Sequence, residues 1–150
     1  MFKKIVVPVD GSAHANRAVD CATDLANKYG AELILLHVMA PTGPARIPPD
    51  LYEYARIEHI DAIEADMMRR VAEEILQTAE NRARGHGAQQ VRTSIGVGHP
   101  AEAIVAHAKA EEANLIMMGR RGLGSMSGLL MGSVSNKVAH LSECACMTIV

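Results

Sequence analysis

The chain has 150 residues, of which 49% are hydrophobic and 21% charged, and its formal net charge at pH 7 is −2. These values are typical of one soluble globular domain, here residues 1–150, and not of a disordered chain. A weakly acidic chain with 3% aromatic residues and no Trp lacks the basic surface and stacking rings typical of nucleic-acid-binding proteins.

No stretch approaches the ~20 apolar residues of a membrane-spanning helix, so we expect no membrane insertion. MFKKIVVPVDG, at the N-terminus, has too short an apolar run for a signal peptide. Three cysteines without CxxC spacing fit a reducing compartment. We therefore expect a cytoplasmic protein.

Strands and helices are predicted to alternate along the first half of the chain. KKIVVPVD (3–10) is a β-branched, apolar run typical of a buried strand. Ser12 is predicted to cap a helix that ends before Gly30, and AELILLHV (31–38) is predicted to form the second strand. MAPTGPARIPPD (39–50) holds four of the six prolines, which predicts a long loop of the kind that often forms a lid or a binding segment.

The same alternation continues in the second half. From Leu51 to Arg84 the composition favours a helix, with an apolar repeat at every third or fourth position: Ile60, Ile63, Met67, Val71, Ile75 and Ala79. The remaining predicted elements are a strand at 91–97, a helix at 100–113, a strand at 114–118, a helix at 133–141 and a last strand, ACMTIV, at 145–150.

This order predicts an α/β fold, an open five-stranded parallel sheet with helices on both faces, as in Rossmann-like domains. In such sheets ligands bind beyond the carboxyl ends of the strands, where the strand order reverses. Three segments would meet at that edge: Asp10 after the first strand, the loop 39–50 after the second, and GRRGLGSMSGLLMGS (119–133) after the fourth. We therefore expect a ligand site there.

Residues 119–133, called the glycine segment below, contain five of the 12 glycines and are predicted to bind phosphate. Gly132 and Ser133 stand at the start of a helix, where unpaired N–H groups and the helix dipole favour an anion. Ser133 and Ser135 would add hydroxyl donors, and Arg120 and Arg121 could add charge. The alternative is a flexible surface loop whose arginines only serve solubility.

The glycine segment also resembles a family signature. Its pattern G-x-x-G, nine residues and then G-S, formed by Gly119, Gly122 and Gly132-Ser133, is similar to the ATP-binding signature of the universal stress protein family. The resemblance covers nearly the whole chain, through IVVPVDGS at the start, LLHV in the second strand, MG at 118–119 and GSVSNKV from 132. Some members lack this glycine pattern and do not bind ATP, whereas this chain has it.

The resemblance implies a fold similar to the adenine nucleotide alpha hydrolases and a bound ATP with Mg²⁺. The adenine would lie between the ends of the first two strands, at Pro8, Val9, Asp10 and Val38. Asp10 would contact the ribose or a metal ion, and Met118 would border the nucleotide. The triphosphate would follow the glycine segment, at Gly119, Arg120, Arg121, Gly122, Gly132, Ser133, Val134 and Ser135.

The resemblance further implies a homodimer formed through the last strand, 145–150, whose unpaired edge would suit pairing with a second copy. A higher oligomer is left open. The chain departs from the family pattern at three places. It has Asn114 where Asp is frequent, Cys144-Ala145 where Cys-Pro is frequent, and two arginines, 120 and 121, where small polar residues or one His are frequent.

The leading hypothesis is a regulatory protein of the stress response whose ATP state controls its conformation or its binding to a regulatory partner protein. One alternative is a slow ATPase or autophosphorylating enzyme, although the glycine segment offers no base or water-positioning Gln. Gln89, Gln90 or His99 could come near it in space. The other alternative is an interaction protein in which the nucleotide is a structural ligand.

Other motifs are predicted to carry no chemistry. GVGHPA (96–101) superficially fits the dinucleotide-binding pattern, but no acidic residue stands about 20 positions further on. Among the seven histidines, no pair has H-x-x-x-H spacing on one helix. His37 and the other histidines of predicted elements are therefore expected to have packing or surface roles.

Overall fold

The computed structural model of the chain describes residues 1–40, 60–123 and 131–150. Most of the predicted loop 39–50, and the predicted helical residues 51–59, lie outside the described residues. Residues 124–130 of the glycine segment also lie outside them.

Within the described ranges, five strands alternate with four helices in the predicted order. The elements are β1 Lys4–Pro8, α1 Ala13–Tyr29, β2 Glu32–Met39, α2 Ile60–Gly85, β3 Val91–Val97, α3 Pro100–Ala110, β4 Leu115–Gly119, α4 Ser133–Leu141 and β5 Ala145–Ile149. The strands form one parallel sheet in the order β3-β2-β1-β4-β5. The predicted fold class is confirmed, and the strand order reverses between β1 and β4.

The sheet is covered on both faces, and β1 lies at its centre. Ile5 and Val7 pack against α1 and α2 on one face, while Val6 packs against α3 and α4 on the other. All three side chains are fully buried. A strand that is apolar at successive positions is stable only in such a central place, where neither face meets water.

Helix boundaries follow the predicted capping residues. Ser12 Oγ accepts a hydrogen bond from Ala15 N–H at 3.1 Å, and Gly30 ends α1 in the left-handed conformation with a φ of +64°. Pro100 occupies the first turn of α3. α1 and α3 begin within a few residues of a strand end, and Gly132 N–H, just before α4, bonds Arg120 O just after β4, so the N-termini of all three helices lie at the carboxyl edge of the sheet. No helix in the described part of the chain is both long and apolar enough to cross a membrane.

The helix predicted from the apolar repeat is confirmed as α2, but the first half of that repeat does not face the sheet. Ile63, Met67 and Val71 are 58%, 62% and 54% exposed, and the buried side chains of α2 are Ala72, Leu76, Ala79 and Ala83. The reason is geometric. Each residue turns the helix by about 100°, so steps of four residues drift by roughly 40°, and four such steps carry the stripe roughly 160° around the helix. Three alanines and Leu76 face the sheet, and the larger apolar residues of the first half do not.

Candidate functional site

A cleft of about 450 Å³ opens at the carboxyl edge of the sheet, where β1, β2 and β4 end. All the predicted site residues except Arg120 line it: Pro8, Val9, Asp10, Val38, Met118, Gly119, Arg121, Gly122, Gly132, Ser133, Val134 and Ser135. The lining also includes residues that were not predicted as site residues: Ala15, Leu36, His37, Pro100, Ile104 and Leu123. The structure thus brings together segments that are far apart in the chain.

The ladder between β1 and β2 stops at the cleft. Val9 N–H donates to Leu36 O at 2.8 Å, and a regular parallel ladder would next join Val38 N–H to Val9 O. Between these two described residues that bond is not formed. His37 Nδ1 donates to the Val9 carbonyl oxygen instead, at 2.7 Å.

Val38 consequently presents a backbone edge to the cleft. Gly98 N–H donates to Met39 O at 3.0 Å, so Met39 is directed to β3 and Val38, its neighbour, to β1. Since β1 supplies no partner for Val38 among the described residues, the N–H and C=O of Val38 face the cleft side by side. One donor and one acceptor are available there to a planar ligand.

Asp10 ties three segments of the site together. Its Oδ1 accepts a hydrogen bond from Ser12 N–H at 2.9 Å, and its Oδ2 accepts one from Leu123 N–H at 3.1 Å. A Cβ at position 122 would lie 2.5 Å from Asp10 Oδ2, so only glycine fits at Gly122 without moving this carboxylate. The end of β1 therefore holds the start of the glycine segment.

Gly119 is required by packing. A Cβ at this position would lie 2.8 Å from the carbonyl carbon and the Cβ of His14, and 2.9 Å from Ala15 N. The end of β4 therefore touches the backbone of the first turn of α1. This contact explains one glycine of the segment without any ligand.

The N-terminus of α4 supplies a second polar wall of the cleft. Gly132 is its N-cap residue and makes no side-chain capping bond, while Gly132 N–H donates to Arg120 O at 2.9 Å. Asn136 N–H, which donates to Gly132 O at 3.0 Å, makes the first intrahelical bond. The N–H groups of residues 133–135 therefore have no carbonyl partner within the helix. Such a helix end favours an anion.

The side chains of this wall have different roles. Ser135 is 2% exposed, and its hydroxyl lies 2.8 Å from Arg120 O and 3.0 Å from Gly132 O. A hydroxyl has one proton, and that of Ser135 is used within the protein, on these carbonyl oxygens, where it stabilises the turn. The group that Ser135 can offer to a ligand is therefore its backbone N–H. Arg120 does not line the cleft, and its Nε is buried without a hydrogen-bond partner among the described residues. Arg121 lines the cleft.

Of the three residues that could come near the site, two lie elsewhere and the third, His99, does not line the cleft. Gln90 O accepts a hydrogen bond from Leu33 N–H, near the start of β2, so Gln89 and Gln90 lie at the amino end of the sheet, opposite the cleft. His99 is the N-cap residue of α3 and is absent from the described lining. No group of three or more His, Cys, Asp or Glu side chains within residues 1–40, 60–123 and 131–150 could hold a metal ion.

Comparisons with known proteins agree with this architecture. The model of the family described as "Universal stress protein family" matches residues 1–149. The chain is 34% identical over 152 residues to universal stress protein YxiE of Bacillus subtilis (strain 168), and the match covers 96% of both chains.

Two solved structures are similar to the chain over almost its whole length. Hypothetical protein MJ0577 has a TM-score of 0.81 at 26% identity, with 99% of this chain and 96% of that chain covered. A universal stress protein in complex with cAMP has a TM-score of 0.71 at 28% identity, again with 99% and 96% covered.

Proposed function

The chain belongs to the universal stress protein family, and we propose that it is a regulatory protein whose cleft binds an adenine nucleotide, ATP with Mg²⁺. The observation that carries the proposal is the pairing of two unlike walls across one cleft. The backbone edge of Val38 suits a base, and the N-terminus of α4 suits phosphate.

The Val38 edge favours adenine over guanine. Adenine carries an amino donor next to a ring-nitrogen acceptor, which matches the C=O and N–H of Val38. Guanine in the same orientation has an oxygen acceptor in place of that amino group, so in that orientation it would set an acceptor against the Val38 carbonyl. The family relative that binds cAMP, an adenine nucleotide, supports the same base.

The phosphates would lie against residues 133–135, where three N–H groups and the positive end of the helix dipole converge. Arg121 adds positive charge to the same lining. Mg²⁺ bound with phosphates keeps several waters and takes one or two protein ligands, which Asp10 and the Ser133 hydroxyl could supply. Each Asp10 oxygen retains a lone pair beside the N–H that it accepts.

A binding role fits the lining better than catalysis. Phosphoryl transfer needs a group that orients the nucleophile. Among the described lining residues the titratable side chains are Asp10, His37 and Arg121, and the Nδ1 of His37 is already bonded to Val9 O. A regulatory nucleotide must bind one conformation more tightly than another. Asp10, which bonds Leu123 N–H, offers such a coupling between the ligand and the glycine segment.

We also propose that the protein acts in the cytoplasm as a homodimer, or a higher oligomer, through residues 145–150. In the described residues β5 pairs with β4 only, and the side chain of Met147 is 43% exposed. Ile149 O accepts from Arg120 N–H, so Ile149 is directed to β4 and its neighbour Thr148 outward. The outer edge of β5 is therefore available for a second copy.

The dimer is tested by sedimentation of Thr148→Pro. Proline at position 148 removes the N–H that points away from β4, and the hydrogen bonds between β5 and β4 are kept. The variant is expected to be monomeric, and Thr148→Val, which keeps the N–H, is expected to behave as wild type. A Thr148→Pro protein that still sediments as a dimer would place the interface elsewhere.

Nucleotide binding is tested by releasing and identifying the nucleotide of purified protein. Wild type is expected to hold ATP in near-stoichiometric amounts, and Gly132→Val is expected to lose it. A Cβ added at position 132 would lie 3.3 Å from Arg120 O, and the two methyl groups of valine would disturb the start of α4 further. Gly85→Val is the control, because a Cβ there has nothing within 4 Å. Wild type that is empty and does not bind added ATP would refute the proposal.

A further inference from the structure

Among the described residues, the backbone N–H and C=O of Val38 stay unpaired although β1 lies beside them. β1 and β2 are paired in register up to Pro8 and Leu36, and Val9 N–H still bonds Leu36 O. One further bond, from Val38 N–H to Val9 O, would extend the ladder and close the edge. Backbone donors and acceptors that the register sets opposite one another in adjacent strands normally pair.

We propose that His37 keeps this edge open and thereby sets the preference of the cleft for adenine. Its imidazole donates to the same Val9 carbonyl oxygen that Val38 N–H would otherwise bond, and so competes with that backbone bond. The inference rests on the proposed function, because the open edge matters as the site of the base. His37 acts through Val9 and Val38, so it is a positioning residue.

The hydrogen bond assigns the tautomer of His37. A carbonyl oxygen can only accept, so the Nδ1 of His37 carries the proton in its 2.7 Å bond to Val9 O. In the neutral ring Nε2 is then unprotonated, whereas free histidine in water favours the proton on Nε2. The tautomer is therefore an observable sign of the contact with Val9.

The placement of His37 on the sheet explains how it lines the cleft without filling the base site. Side chains alternate along β2. Leu33 and Leu35 pack on the face covered by α1 and α2, whereas Leu36 and Val38 pack on the opposite face with Met118, a cleft residue. His37 belongs to the first set. Its side chain starts from the face opposite Val38, so it can satisfy Val9 O while the apolar wall of the cleft stays free.

The experiment compares His37→Leu with His37→Asn. The amide nitrogen of asparagine can take the place of Nδ1 and keep the bond to Val9 O, whereas leucine has no donor. Affinities for ATP and GTP are measured by titration calorimetry. We expect His37→Leu to lose roughly tenfold in ATP affinity, the effect of about one hydrogen bond, with little change for GTP. His37→Asn is expected to retain the preference for ATP. Equal ATP to GTP ratios in wild type and His37→Leu would overturn the inference.

Nuclear magnetic resonance of the nucleotide-free protein tests the same inference without a ligand. We expect the Nδ1–H tautomer at His37 and fast hydrogen exchange at the Val38 amide in wild type. In His37→Leu the Val38 amide should become protected, because it can now bond Val9 O. An Nε2–H tautomer, or a Val38 amide with the same protection in both proteins, would overturn the inference.

The two measurements separate this inference from the proposed function. A wild type that binds neither nucleotide would refute the proposed function, while the tautomer and the Val38 amide would still decide the role of His37. If His37→Leu does not fold, His37→Gln replaces it. Its amide nitrogen reaches the Nε2 position and not that of Nδ1, so it should behave as a variant without the bond. A His37→Gln protein with the exchange and selectivity of His37→Asn would count against the inference.

Discussion

The amino and carboxyl ends of the sheet differ in whether their polar groups are paired within the protein. At the amino end, side chains pair with one another. Arg92 bridges Glu32 at 3.0 Å and Glu111 at 3.1 and 2.6 Å, and Asn114 Oδ1 accepts from Lys3 N–H and Lys4 N–H at 2.7 and 3.1 Å. At the carboxyl end, the edge of Val38 and the start of α4 face a cleft.

This difference separates stability from binding. Polar groups that are already paired add to stability and offer little to a ligand. Groups that a cleft leaves open can be satisfied by a ligand, and strong hydrogen-bond donors preorganised at a helix end suit an anion. The sheet therefore has an amino end whose polar groups are paired within the protein and a carboxyl end whose polar groups are available to a ligand. Four substitutions test how far this division holds.

The largest effect is expected at the carboxyl end, for Gly119→Ala. The added Cβ would overlap the backbone of His14 and Ala15, which can move only with the first turn of α1. We expect the free energy of unfolding to fall by about 2 kcal/mol, as for other overpacked sites. Denaturant unfolding measures it, with Gly85→Ala, which meets nothing within 4 Å, as the control. Equal stability of the two variants would show that the close contact is unimportant.

Asp10→Asn tests the bond between β1 and the glycine segment. The asparagine Oδ1 can still accept from Ser12 N–H, but its amide group then faces Leu123 N–H, donor against donor. We expect a loss of about 1.5 kcal/mol in the free energy of unfolding and faster hydrogen exchange at Leu123. Asp24→Asn, on the exposed side of α1, serves as the control. Unchanged exchange at Leu123 would contradict the anchoring role.

Glu111→Gln tests the amino end through pH. The hydrogen bond from Arg92 is the main cause that lowers the pKa of Glu111. A carboxyl whose pKa is lowered by folding stabilises the protein above its unfolded pKa, about 4.3, and loses that contribution as pH falls through the folded pKa. At neutral pH the free energy of unfolding of wild type should be higher than that of Glu111→Gln by about 0.5–1 kcal/mol. The gap should close below about pH 4.

The control for this pair is Glu112→Gln, since Glu112 is the exposed neighbour of Glu111. Urea unfolding at several pH values measures both variants. A gap between wild type and Glu111→Gln that stays constant down to acid pH would show that charge is not its origin.

The smallest effect is expected for Asn114, the position where the family frequently has Asp. Asn114→Ala removes the acceptor of two exposed N–H groups and should cost about 0.5 kcal/mol. Asn114→Asp keeps an acceptor and should be as stable as wild type. Thermal unfolding of the pair measures the difference. Equal losses in both variants would mean that the acceptor oxygen is not what matters at Asn114.

The sequence predicted the fold and the edge that carries the cleft, because both follow from periodicity and from the order of elements. It could not predict which face of α2 is buried. Two stripes of apolar residues run along that helix, and only packing against the sheet selects the one with Ala79 and Ala83. It also left open that Gln89 and Gln90 come near the site, and the structure places them at the opposite end of the sheet.

His37 is the instructive omission. Its one signal was a polar ring near the end of an otherwise apolar strand, beside the predicted ligand edge. Nothing in the local pattern shows that this ring bonds a carbonyl 28 residues earlier in the chain. Contacts of this kind depend on the register of two strands.

By itself the sequence determined the strands, the helix caps and the clustering of glycines, because these depend on neighbours within a few residues. Only the tertiary structure decided the roles of the three glycines of the segment that lie in the described residues. Gly119 lies against the backbone at His14, Gly122 lies against the Asp10 carboxylate, and Gly132 is the N-cap residue of α4. It also decided that Val38 stays unpaired beside Val9, since a hydrogen bond between strands requires that both be held in place before either group can be satisfied.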